Sequence, residues 1–137
     1  MDAQPVRFLL VHGSIVLLAG LLAGIPFWLA IIGEAQSGVV RAWRVAHTTL
    51  IACGLTILVA GIVSPHLALS GGLHTFLCWA FVISGYSFVF ALVVGAATGQ
   101  RALTPLPLGV NTLLFAGHFI GATGAILGVC VFLYGLL

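Results

Sequence analysis

Residues 8–33 read FLLVHGSIVLLAGLLAGIPFWLAIIG, a run with no formal charge. A helix rises 1.5 Å per residue, so about 20 apolar residues cross the hydrocarbon core of a bilayer. Three further windows, roughly 45–64, 72–98 and 109–137, meet the same test. Asp2, Arg7, Glu34, Arg41, Arg44 and Arg101 are expected in the tails and connections, where water or headgroups solvate them. The connections are about six to eleven residues long and are broken by Gly33, Pro65, Gly71-Gly72, Pro105 and Pro107. Links that short join neighbouring antiparallel helices. The expected fold is all-α: an integral membrane four-helix up-down-up-down bundle, with residues 1–137 forming a single four-span transmembrane domain.

Composition agrees with this class. Apolar residues make up 62% of the 137 and charged residues 4%, and mean hydropathy is +1.32. No soluble domain of this size hides so much apolar surface. Four arginines without a lysine cannot follow a phosphate backbone, which argues against nucleic acid as a partner. The first span is too long for the apolar region of a signal peptide and is read as retained. Arg41, Arg44 and Arg101 on one face, against Arg7 on the other, put the two longer connections in the cytoplasm and both termini outside. Pro26 is expected to bend the first span.

Small residues recur at spacing four: Ala19/Ala23 and Gly20/Gly24, then Gly117/Gly121/Ala125 and Gly124/Gly128. Such steps let helix backbones approach closely in lipid, within one chain or between copies. Four short spans enclose little volume, so a cofactor site forms more readily where protomers meet. Cys53, Cys78 and Cys130 lie in apolar runs without CxxC spacing and read as buried small hydrophobes.

Five histidines stand against two acids, and ionisable groups at membrane depth are functional candidates. With the N-terminal side of the first span called A and the other B, His12 falls about four residues in from A, and His66 and His74 lie at or near A. His47 is placed near B, at the head of the second span, and His118 roughly 13 Å in from B. A bis-histidine haem needs imidazoles at matched depth. His47 and His118 differ by about 10 Å, whereas His12 and His74 match better. Near helix ends, however, both also suit headgroup or carbonyl hydrogen bonds. His66 is expected to be solvated. A metal cluster of His12, His66 and His74 lacks an acidic or thiolate companion. With no intramembrane acid, neither a Ser/His/Asp triad nor a carboxylate pair can be built. Redox or Lewis-acid chemistry therefore needs a borrowed cofactor, and His47 in Trp43-Arg44-Val45-Ala46-His47 is the foremost ligand for its iron.

One set of residues resembles a known family in the same order. His12-Gly13 opens the first span, with Trp28 and Gly33 near its end; Trp43-x-x-Ala46-His47 leads into the second; Gly85-Tyr86 lies in the third and Arg101-Ala102-Leu103-Thr104 after it. These resemble the styrene oxide isomerase family over most of the chain, with a shorter first connection and no gap from His47 to Thr104. The resemblance implies a homotrimer with haem b between protomers, its ferric iron held by one histidine and open on the other face. The iron would act as a Lewis acid on a small hydrophobic epoxide, and a 1,2-hydride shift would give an aldehyde. His47 matches the axial ligand, and Trp43 would pack near the macrocycle. The sequence departs from the family where Cys53 replaces an asparagine, Ser84 an aspartate and Leu92 a tyrosine; together with Tyr86 these mark the expected pocket. The departures leave open a haem-binding membrane protein without isomerase activity, serving electron transfer, sensing or haem handling. A cofactor-free accessory subunit is a third class. The expected location is a bacterial inner membrane.

Overall fold

The computed structural model describes residues 3–106 and 108–137, so Asp2 and Pro107 lie outside the described residues. Four long helices run through it: α1 Ala3–Ile32, α2 Ser37–Val63, α3 Gly71–Thr98 and α4 Val110–Leu136, with a short 3-10 turn at Ser64–His66. Each is long and apolar enough to cross a membrane. The all-α membrane bundle expected from the sequence is the fold observed.

The last two spans start and end within about a residue of expectation, but the first two start early. Helix α1 begins at Ala3 rather than 8, and α2 at Ser37 rather than 45. Arg7, Arg41 and Arg44 therefore lie inside helices and not in tails or connections. Backbone hydrogen bonding does not stop at the edge of the hydrocarbon, and a guanidinium on a flexible stem reaches the headgroups from the terminal turns. The first connection shrinks to four residues, Gly33 to Gln36. Ala35 N–H donates to Ala30 O at 3.0 Å and Glu34 N–H to Ile31 O at 3.2 Å. These two bonds form a Schellman stop around Glu34, whose φ is 50°. Gly71-Gly72 open α3 rather than forming a connection, and the Ser70 hydroxyl caps it by accepting from Leu73 N–H. Helix α1 runs unbroken through Pro26.

The chain packs as two hairpins. In the first, Gly13 faces Leu58, Leu17 faces Gly54, Gly20 faces Leu50-Ile51 and Gly24 faces His47. A Cβ on Gly54 would lie 2.6 Å from Leu17 Cα, and one on Gly20 2.7 Å from Ile51 N. Only hydrogen side chains permit this backbone approach, which is how helices associate in lipid. In the second hairpin Gly117 meets Ala91, Gly121 meets Phe88 and Gly128 meets Phe81. The glycine rows are thus used within the chain. Val16 and Ile57 converge on Gly85 and join the hairpins, around a core that includes Leu9, Leu77, Cys78, Phe81 and Val82.

Helix α4 packs chiefly on α3 and barely touches α1 or α2. Its C-terminal end is tied to the A-side connection, where Ala68 N–H donates to Gly135 O at 2.8 Å. The outer surface is as apolar as the core: Ile62 is 62% and Ile126 64% exposed. That inversion is stable only against acyl chains. Thr48, Thr56, Thr75 and Thr98 each return their hydroxyl to a carbonyl one turn back, so no helix offers the bilayer an unpaired hydroxyl at these positions.

Candidate functional site

His47 is not at the head of its span. The early start of α2 puts ten residues before it, about 15 Å of helix, and seats it against α1. Its Nδ1 lies 2.8 Å from Gly20 O. A carbonyl only accepts, so Nδ1 carries the proton and Nε2 keeps its lone pair. Among the described residues no hydrogen-bond partner meets Nε2. Gly24, one turn beyond Gly20, makes room for the ring: a Cβ there would stand 3.0 Å from both Cε1 and Nδ1. Phe27, on the following turn, stacks with the imidazole at 6.0 Å and 30°. The Arg44 guanidinium carbon lies 5.7 Å from the Phe27 centroid, in cation–π range. Trp43 is half-buried one turn before His47 on the same side of α2. A fixed imidazole with one nitrogen tied to a backbone carbonyl and the other free is the donor arrangement that metal-binding histidines use.

The other positions marked in the sequence do not gather at His47. Ser84 is buried and donates its hydroxyl hydrogen to Gly121 O at 2.6 Å, bonding α3 to α4. Cys53 packs against the central core. Leu92 lines a B-side cavity together with His118. Tyr86 pairs with His12 Nδ1 at 2.9 Å, inside a cluster where Phe8 meets His12 at 4.4 Å and Trp79 at 5.2 Å.

That pairing corrects the depth assigned to His12. Tyr86 lies twelve residues beyond His74 along α3, about 18 Å of rise, so His12 and His74 are not level. The cause is the early start of α1, which carries its N-terminal turns further toward side A. His66 is exposed, as expected of a solvated residue. His74 lines an A-side cavity of about 960 Å³ with Arg7, and its Nε2 is buried without a partner. Among the described residues no three of His, Cys, Asp and Glu form a metal-binding group, so His12, His66 and His74 build no cluster. His47 turns toward α1 while His118 lies in the groove on the α3 and α4 side of α2, so these two do not pair within the chain. All three cysteines are free; Cys78 is buried and Cys53 half-buried, but Cys130 is exposed, contrary to expectation.

Sequence reasoning singled out His47 but not Gly20, Gly24 and Phe27, which the structure sets beside it, having taken the glycines as packing steps alone. A first turn placed at 33–36 would have revealed them, since folding the hairpin there brings 24 beside 47 and 20 beside 51.

No curated protein and no solved structure matches the chain. The family described as styrene oxide isomerase matches residues 6–137, nearly everything from the second turn of α1 to the C-terminus, and the chain belongs to that family.

Proposed function

We propose that the protein holds haem b through His47 Nε2 and isomerises a small hydrophobic epoxide to a carbonyl compound within a bacterial inner membrane. The hydrogen bond from His47 Nδ1 to Gly20 O carries this reading, because it fixes the tautomer and the ring plane before any metal arrives. Phe27 stacks with the ligand's ring, Trp43 offers an apolar face one turn before it on α2, and Arg44 over Phe27 supplies a cation close by for an acidic substituent of the macrocycle. His47 would hold the haem iron there, and the bound group would supply a Lewis acid for the epoxide oxygen. The chain contributes a water-excluding surface, which protects a carbocation-like rearrangement from hydrolysis. One chain backs the imidazole with α1 alone, and the far wall is assigned to a second copy in a homotrimer.

The test is the spectrum and chemistry of protein purified from haem-replete cells. Wild type is expected to show a five-coordinate high-spin ferric spectrum and to convert aryl or alkyl epoxides to aldehydes above a free-haem control. His47→Ala is expected to lose the haem. Colourless wild type, or haem retained by His47→Ala, refutes the assignment.

A second reading, haem binding without isomerisation, draws on one observation: the Ser84 hydroxyl is spent on Gly121 O, and Cys53 and Leu92 add no strong polar group where the family resemblance expects them. A six-coordinate low-spin spectrum with no aldehyde formed selects it.

A further inference from the structure

At the A end, α1, the 64–70 connection and the first turn of α3 enclose a cavity of about 960 Å³. We propose that it binds one anionic phospholipid of the adjoining leaflet, which bridges the two hairpins. The cavity is separate from the haem site proposed above: none of His47, Gly20, Gly24 and Phe27 lines it, and Gly20 lies thirteen residues beyond Arg7, about 20 Å along α1.

Two side chains select an anion. Arg7 comes from α1 and His74 from α3, and among the described residues no acid lines the cavity. Neither ring nitrogen of His74 makes a hydrogen bond within the fold, and Nε2 is buried without a partner. Such a polar atom costs stability while it is unpaired, and an imidazole N–H is satisfied by a ligand oxygen. A guanidinium fork from one wall and an imidazole N–H from the other suit the two unesterified oxygens of a phosphodiester, and basic pockets between membrane helices take acidic headgroups. Below the charge the wall is hydrocarbon. Leu10, Val11 and Ile15 follow Arg7 along α1, with Ile15 eight residues deeper, about 12 Å of helix. Val11 and Ile15 are exposed, so the cavity opens sideways to the bilayer and acyl chains can continue out of it. Charge at the membrane edge and hydrocarbon beneath it is the order of a phospholipid in its leaflet.

The opposite wall is held in place without help from α1. Ser64 Oγ donates to Gly61 O at 3.0 Å and Ala68 N–H to Gly135 O at 2.8 Å. Gly135 lets Leu67 and Leu69 close on α4, where a Cβ would meet them at 2.9 to 3.0 Å. These ties fix the connection to α2 and α4, so the space beside α1 is kept. Inorganic phosphate would leave the apolar wall unused. A zwitterionic lipid would bring its own cation to Arg7, and a fatty acid has one chain for a cavity of this volume.

The experiment is native mass spectrometry of the delipidated full chain in detergent, titrated with phosphatidylglycerol. One saturable phosphatidylglycerol per chain is expected, with phosphatidylcholine, palmitate and inorganic phosphate each at least about tenfold weaker. Arg7→Gln is expected to weaken phosphatidylglycerol at least about tenfold, as loss of a charge-assisted hydrogen bond does. Arg41→Gln, at the opposite end, should leave it unchanged. His74→Leu distinguishes a group that serves a ligand from one that serves the fold. It removes no hydrogen bond of the fold, so without lipid it is expected to melt no lower than wild type, yet to bind phosphatidylglycerol at least about tenfold more weakly and to gain less thermal stability from it. His74→Gln, which keeps an N–H donor, is expected to bind within about threefold of wild type. Equal binding of phosphatidylcholine or palmitate overturns the proposal. So does phosphatidylglycerol binding that is indifferent to both Arg7 and His74 or equally sensitive to Arg41, and so does a delipidated His74→Leu that melts below wild type.

Discussion

One proton governs what His47 can do. The Gly20 carbonyl draws it to Nδ1 at 2.8 Å, and the nitrogen left bare is the one a metal can use. Gly24 guards that geometry, since a methyl group there would press the ring at 3.0 Å. Gly24→Ala is therefore expected to keep normal helicity but weaken haem binding at least about tenfold, measured by titrating apoprotein and following the Soret band. Ser84 has a different duty. Its hydroxyl joins α3 to α4 at Gly121 O, and Ser84→Ala should cost about 1 kcal/mol, the scale of interhelical hydrogen bonds in lipid, read from unfolding in a graded denaturing detergent. His47 stood out in the sequence because an imidazole following Trp43 in an apolar span is conspicuous. Its companions were not, because glycine and phenylalanine gain their roles only from a register that a misplaced turn conceals.

The helices themselves were easier to read than their ends. Hydropathy locates the hydrocarbon-facing stretch, yet α2 continues two to three turns beyond it and carries Arg41 and Arg44. The signal overlooked is the Schellman stop, because its left-handed position is filled by Glu34 and not by the neighbouring Gly33. An L side chain pays for that conformation, so Glu34→Gly is expected to stabilise the fold by about 1 kcal/mol, again by detergent unfolding. The glycine seam between α1 and α2 acts oppositely. Gly54→Ala would force a methyl group to 2.6 Å from the Leu17 backbone, and separating the helices to accept it should cost about 2 kcal/mol. No such loss is expected for Gly38→Ala, where a Cβ meets nothing within 4 Å, and equal losses at the two positions would refute the close-packing account.

Taken together, the two hairpins place the start of α1, the end of α4 and the 64–70 connection at one end, with Glu34, Arg41, Arg44 and Arg101 at the other. The excess of arginine predicts that the latter end faces the cytoplasm. Alkaline phosphatase fused to the C-terminus is expected to be active and green fluorescent protein fused there to be dark; the reverse result inverts the orientation. The four-helix class was readable from four apolar runs and the short links between them. The loose attachment of α4 was not, because spans of equal hydropathy carry no label for which neighbours they meet.

His47, the carbonyl that orients it, the glycine beneath it and the aromatic ring beside it all belong to the first hairpin, which ends at Val63. During synthesis, every residue that orients the His47 ring is therefore delivered to the membrane before the second hairpin is made. The imidazole's partners are thus all encoded before α3 and α4, whose later translation supplies none of them.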